Sequence, residues 1–311
     1  MLTNQDRRFG ISVIIPCYNS GGELLTEAID SVVQQPLSCG REIIVVDDGS
    51  DDPATLAAID TMSYRPDVRV VRLPHNLGAQ AARNAGLDAA RFDYILPLDS
   101  DDRLATDPQL LTSGGYLEPA IRLLDSGDEV AFVHTYSRMF EGFDGFTISA
   151  YPLREELLVR KHHAPMPIVY RRADALAAGG YDRNIRKWQD WAFAIDLLAA
   201  RHRRRTPNAI ACIPGPHHEY RVHSRFPRLS TSSVSELDMT RYVVHKNLDY
   251  FRAVLDDDRG ADELAAEVYA SKPDRLTDLL HMAAADLHQA LTVAGQRHAA
   301  IHSPADSLGI P

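Results

Sequence analysis

Long hydrophobic runs are missing from this sequence. None approaches the roughly 20 apolar residues that a membrane-crossing helix needs, and residues 1–8 lack the apolar core of a secretion signal. Cysteine is scarce. Cys17, Cys39 and Cys212 lie far apart and match no metal-ligand spacing. Such a set fits a reducing compartment, with each thiol serving as a small buried hydrophobe. Positive charge is also in deficit: 33 Lys and Arg face 43 Asp and Glu, a net charge of −10. That sign argues against a nucleic-acid binder and against electrostatic docking on an anionic membrane. The densest basic run, Arg201-His-Arg-Arg-Arg205, reads as a helix C-terminus, where cations suit the dipole, in preference to a membrane or acceptor patch. The expectation is a cytoplasmic protein without a transmembrane segment, at most peripheral to a membrane.

What is present is a core-forming chain with an alternating pattern. Of its 311 residues, 45% are hydrophobic, ample for one large domain or two smaller ones. β-branched runs at 11–15, 42–46, 68–73 and 94–98 read as strands. Helical spacing separates them at 24–33, 53–62 and 78–90. Strand–helix alternation of this kind predicts an α/β fold, a mostly parallel sheet covered by helices on both faces. Further on, helices are expected at 118–125, 172–178 and 189–200, and strands at 129–136, 167–170, 209–213 and 219–223. Residues 142–149 read as a hairpin or loop. After residue 231 the pattern turns helical, at 236–255, 261–269 and 275–293. Two units follow: residues 1–230 and a C-terminal α-helical extension, 231–311.

Two acidic clusters stand at expected strand ends. Asp99-Ser100-Asp101-Asp102 follows one apolar run and Asp47-Asp48 another. Ligands of parallel α/β sheets bind at the carboxyl ends of the strands. Crowded carboxylates repel one another unless a cation joins them, and Mg²⁺ or Mn²⁺ is the simplest one. The alternative is a solvated acidic turn with capping duty. Of Asp47 and Asp48, one is expected to be functional and the other structural. Tyr18, after Pro16 and before Asn19, could stack on a planar base or merely sit at the rim. Gly78 opens a helix start that favours anions, and Arg83 lies one turn in. Trp188-Gln-Asp190-Trp191 places a carboxylate between two tryptophans, where apolar neighbours would make it a better base near neutral pH, or where it simply caps a helix. In the stretch from His217 to His223, His223 could bind metal and Arg221 phosphate; His162 and His163 carry a weaker version of that metal reading.

Taken together the motifs resemble the family 2 glycosyltransferases. Four features carry the match, in the family's order and spacing: Val13-Ile-Ile-Pro16-Cys-Tyr18-Asn19, Val45-Val-Asp47-Asp48-Gly-Ser50, the Asn76-x-Gly78-x4-Arg83-Asn84-x-Gly86 helix start, and Leu98-Asp99-Ser100-Asp101-Asp102. The resemblance continues through Gly179-Gly-Tyr-Asp182 to Asp190, with Gln189 where the family usually has Glu, and fades after about residue 230. It implies a glycosyltransferase A (nucleotide-diphospho-sugar transferase) fold and an inverting hexosyl- or N-acetylhexosaminyltransferase that uses a nucleoside diphosphate sugar, most often a UDP-sugar. Pro16, Tyr18, Asn19, Asp47 or Asp48, and Arg83 would line the nucleoside pocket. Asp99 and Ser100 would face the ribose or sugar, and Asp101, with His223, would hold Mn²⁺ or Mg²⁺. Asp190 would be the general base. The acceptor could be a glycan, a lipid-linked sugar, a protein or a small metabolite. The C-terminal helices could dimerise. Two other readings remain: a sugar-phosphate nucleotidyltransferase, for which Gly21-Gly22 without a nearby Lys is poor support, and a non-catalytic nucleotide-sugar-binding scaffold.

Overall fold

Apolar runs with no polar alternation must lie in strands covered on both faces, and they do. A computed structural model describes residues 8–147, 153–160, 167–222, 233–271, 286 and 288–293. Its first third alternates β1 (Gly10–Cys17), α1 (Gly22–Val33), β2 (Gly40–Asp47), α2 (Pro53–Met62), β3 (Val68–Arg72), α3 (Ala79–Ala89) and β4 (Tyr94–Pro97). The middle adds β5 (Arg103–Leu104), α4 (Pro108–Thr112), α5 (Leu117–Asp125), β6 (Val130–Glu141), β7 (Gly145–Thr147) and α6 (Glu155–Leu158). It continues with β8 (Val169–Arg171), α7 (Arg172–Ala178), α8 (Gln189–Arg203) and β9 (Ala209–Val222). All strands share one sheet, ordered β3-β2-β1-β4-β8-β6-β9-β5, with β7 paired to β6. The part β3-β2-β1-β4 is wholly parallel. Beyond β4 the directions mix: β8 runs antiparallel to β4 and β6, while β9 runs parallel to β6.

Side-chain alternation along β1 divides the core. Ile11, Val13 and Ile15 pack on one face with α1 and α5, and Ile14 packs on the other with α3 and α8. Gly86 of α3 lies directly on Ile14; a Cβ there would sit 2.3 Å from Ile14 Cγ2. The absent side chain lets α3 approach the sheet.

Differences from the sequence expectation trace to particular side-chain contacts. The strands expected at 209–213 and 219–223 form one strand, β9. Its irregularity around Pro214 and Gly215 is absorbed by Thr135, whose hydroxyl meets the carbonyls of Ile213 and Gly215 at 3.1 and 2.6 Å. Residues 142–147 are a hairpin arm, with β7 against β6; residues 148–149 lie outside the described residues. The helix expected over 236–255 is two, α9 (Glu236–Lys246) and α10 (Leu248–Leu255), followed by α11 (Ala261–Ala270). It breaks at Asn247, whose side chain donates to Asp196 Oδ1 at 2.8 Å while its backbone leaves helical geometry. Val243, Val244, Tyr250, Phe251, Leu264 and Val268 share one hydrophobic cluster with Trp191, Ile195 and Leu198 of α8. The helix expected over 275–293 lies mostly outside the described residues. Among the described residues no helix is long and apolar enough to cross a membrane.

Candidate active site

The carboxyl ends of β1, β2 and β4 are neighbours in the sheet, so their loops gather at one edge. Asp48, buried at the end of β2, accepts from the amides of Leu77 and Gly78 at 2.8 Å each. It thereby fixes the entry to α3, where Gly78 has φ 94°. Asp47, also buried, accepts from the Ser50 amide at 2.9 Å and from Arg72 Nη1 at 3.3 Å. Both carboxylates are thus engaged within the protein, Asp47 by the loop after β2 and by β3, Asp48 by the entry to α3. Asn19, at φ 48°, joins the β1 and β2 loops: its Oδ1 accepts from the amides of Asp51 and Asp52 at 3.0 Å, and its Nδ2 donates to Asp51 Oδ1 at 2.7 Å. Pro16 lies within β1, paired with Val46. Tyr18 follows with 47% of its surface exposed at the mouth of the edge.

After β4 comes the carboxylate triplet. Oxygens of Asp99, Asp101 and Asp102 lie within 4.8 Å of one another. Asp99 is half-exposed and accepts from Arg83 Nη2 at 2.6 Å. Ser100 is buried, its hydroxyl 2.6 Å from that of Ser20. Asp102 is buried and differently occupied: Oδ1 accepts from the Arg221 amide at 2.8 Å and Oδ2 lies 3.3 Å from His218 Nε2. His218 Nδ1 is in turn 2.8 Å from the Ser137 hydroxyl. Burial pushes the Asp102 carboxyl up, against the opposing pull of His218. An all-oxygen cluster of this density fits a hard dication. Asp102 has protein partners on both oxygens, which ties it to the frame of the site. His223, His162 and His163 lie outside the described residues. Arg221, considered above for phosphate, is engaged within the protein. Its Nε donates to the Asp101 carbonyl at 2.8 Å, and its Nη atoms reach Glu27 and Glu141. Phe140 is held between Arg103 and Arg221, each guanidinium carbon 4.5 Å from the ring centre.

Arg83 joins this triplet to the first turn of α8. Besides Asp99 it reaches Gln189 Oε1 at 3.4 Å, and it stands 5.5 Å from the Tyr181 ring. Burial opposes its charge, yet the carboxylates of Asp99 and Asp190 outweigh burial and hold the guanidinium above its ordinary pKa. Asp190 sits in the first turn of α8, where the helix dipole favours a carboxylate. Trp188, the N-cap, has φ 62°, a left-handed conformation costing about 1–3 kcal/mol for a bulky side chain. The expected apolar cage is only partly there. Trp191 turns into the core and donates to the Leu158 carbonyl at 2.7 Å, while Arg83 supplies Asp190 with a cationic neighbour.

Two residues without an assigned role also act here. Asn84 Oδ1 accepts from the Tyr181 amide at 2.7 Å and its Nδ2 donates to the Tyr181 carbonyl at 2.8 Å. Gln80 Nε2 donates to the Ile185 carbonyl. Positions 80, 83 and 84 share one helix face, a spacing visible in the sequence, but the loop they hold lies about 100 residues away and only the fold brings it there.

The geometry can be set beside known proteins. Residues 12–168 match the family model for glycosyl transferase family 2. The chain belongs to glycosyl transferase family 2. Among family relatives, a glycosyltransferase of Haemophilus influenzae is 26% identical over 60% of this chain and 62% of its own length. An N-acetylglucosaminyltransferase of a Rhizobium species is 33% identical over 39% of this chain and 27% of its own. The chain therefore spans less than two thirds of either relative. The Staphylococcus aureus protein TarS, solved with UDP-GlcNAc, superposes with a TM-score of 0.63 at 20% identity over 87% of this chain and 73% of the TarS chain. The shared architecture is the glycosyltransferase A fold, a mixed α/β arrangement with helices on both sides of the sheet.

Proposed function

We propose that this chain transfers a hexosyl or N-acetylhexosaminyl group from a UDP-sugar to an acceptor hydroxyl, with inversion at the anomeric carbon. The observation that carries the reading is the guanidinium of Arg83 set between Asp99 and the Gln189–Asp190 pair. One buried cation thus stands between the carboxylate end of β4 and the first turn of α8, which supports reading the two as parts of one site. The UDP-GlcNAc held by TarS and the N-acetylglucosaminyl chemistry of the Rhizobium relative support the donor class.

In this reading Asp190 accepts the proton of the acceptor hydroxyl. The oxygen attacks the anomeric carbon as the bond to the diphosphate breaks, in one displacement. General-base assistance of this kind contributes roughly 10²–10⁴-fold. Tyr18 stacks on the base, and Asp47, Asp48, Asn19 and Pro16 shape the pocket floor around the nucleoside. Asp99 and Ser100 face the ribose or sugar, with Arg83 orienting Asp99. Asp101, with His223 as second ligand by family resemblance, would hold Mn²⁺ or Mg²⁺, which when bound supplies positive charge for the departing diphosphate.

The deciding experiment incubates the protein with UDP-GlcNAc and other UDP-sugars in the presence of Mn²⁺ and measures free UDP. Release of UDP supports the proposal. Formation of UDP-GlcNAc and pyrophosphate from UTP and GlcNAc 1-phosphate in a parallel incubation, or donor binding with no turnover across a panel of glycan and lipid-linked acceptors, overturns it.

A further inference from the structure

The loop that delivers Asp190 is gripped from two sides, and the second grip comes from the helices beyond residue 231. On the sheet side stand Gln80, Arg83 and Asn84 of α3. On the other, Lys246 at the end of α9 donates from Nζ to Asp182 Oδ2 at 2.7 Å and to Asp196 Oδ2 at 2.9 Å. Asp182 precedes Asp190 in the loop, and Asp196 follows it in α8. One ammonium therefore ties together the chain on both sides of the base. The neighbours of Lys246 reinforce the tie. Tyr242 donates to Asp182 Oδ2 and accepts from Asn184 Nδ2, each at 3.1 Å. Lys187 pairs with Glu236 at 3.3 Å. Asn247 breaks the helix in order to reach Asp196 Oδ1.

Asp196 is an unusual residue for its place. It is buried in a helix whose surrounding positions, Phe193, Ile195, Leu197 and Leu198, are apolar. Burial pushes its carboxyl up while Lys246 pulls it down. A well-packed apolar pair at such a site is often at least as stable as an ion pair, so stability alone gives little reason for a carboxylate here. A directional contact does. An ion pair with hydrogen bonds fixes the rotation and height of α8 relative to α9, whereas apolar packing tolerates sliding.

We propose that Lys246 is a positioning residue for Asp190, so that α9 and α10 are part of the catalytic apparatus. This rests on the reading of Asp190 as general base. Lys246 touches no substrate. It acts by holding the turn that contains Asp182 and Asn184 against the first turns of α8.

The test uses the full chain, with UDP-GlcNAc as donor for turnover and UDP with Mn²⁺ as calorimetric probe of binding. Lys246→Met is expected to lower kcat by up to about 10²-fold, the scale of a small misplacement of a reacting group, with UDP affinity unchanged. Lys246→Arg is expected to recover part of that loss. Asp182→Asn, which leaves the Lys246–Asp196 pair intact, keeps the test available should Lys246→Met fail to fold; it is expected to lower kcat at a wild-type melting temperature. Asp190→Asn serves as the reference. If Asp190→Asn is inactive while Asp182→Asn and Lys246→Met turn over at the wild-type rate, the positioning role is wrong. The same conclusion follows if UDP affinity falls in step with kcat. If Asp190→Asn itself is fully active, the premise fails and the inference goes with it.

Discussion

His218 Nε2 lies 3.3 Å from Asp102 Oδ2, and the other face of the same imidazole meets Ser137 at 2.8 Å. All three side chains are buried. Ser137 and His218 thus hold Asp102, which holds the Arg221 amide, while the Arg221 side chain holds the Asp101 carbonyl. A chain of contacts runs from β6 and β9 to the carboxylate proposed to bind the dication. Partners behind a ligand typically contribute 10–100-fold to metal affinity. His218→Phe is expected to weaken Mn²⁺-dependent UDP binding by about 10-fold or more, with little change in UDP binding without Mn²⁺. Calorimetry with and without the ion checks this; equal Mn²⁺ enhancement in both proteins would remove His218 from that role.

Arg83→Lys preserves charge but not reach. A guanidinium can meet Asp99 and Gln189 together through its fork, whereas an ammonium on a flexible stem is a point charge. Turnover is expected to fall by about 10–100-fold, the range for a misplaced catalytic group. Steady-state kinetics checks it, and a wild-type kcat in Arg83→Lys would show that the two contacts need not be made by one side chain.

Asp190→Asn is expected to retain UDP binding while sugar transfer falls by roughly 10²–10⁴-fold. The asparagine is nearly isosteric and still stands beside Arg83, so a loss of transfer with intact binding isolates the proton-accepting step. Calorimetry and a UDP-release assay separate the two quantities.

His134 gives a pH prediction away from the site. It is buried in β6, and burial pushes its pKa down to about 4 from an ordinary 6.5. The unfolded chain therefore binds a proton between those values that the folded chain refuses. The stabilisation is complete above the ordinary histidine pKa and is lost as pH falls toward 4. The shift corresponds to about 3 kcal/mol. His134→Leu should flatten the decline in stability between pH 7 and pH 4.5 by that order. Urea denaturation at the two pH values measures it, and parallel slopes in variant and wild type would exclude His134 as the cause.

The elements most legible in the sequence were those decided by local chemistry. α2 runs over Pro53–Met62 because Asp52 caps it through Thr55 and Pro53 fits its first turn, all of which is visible in four consecutive residues. α7 stops at Gly179, whose φ of 88° suits glycine alone. The carboxylate edge was legible for the same reason, since each acidic cluster directly follows its strand. What could not be read locally was decided by distant partners. β5 is two residues long and exists because β9 lies beside it. The break at Asn247 needs Asp196, and the commitment of Arg221 needs Glu27 and Glu141. The charge facing Asp190 comes from Arg83, on a helix placed by Gly86 and Ile14, a neighbour that the flanking tryptophans do not reveal.

Gly86 has no polar atom beyond its backbone and touches no proposed ligand, yet a methyl group there would overlap Ile14. Relief would come by lifting α3 off the strands, and Gln80, Arg83 and Asn84 would travel with it as one rigid set. An alanine at this position would thus behave like a lesion in the reaction centre. The tolerance of that centre is governed by how closely two hydrocarbon surfaces are allowed to meet underneath it.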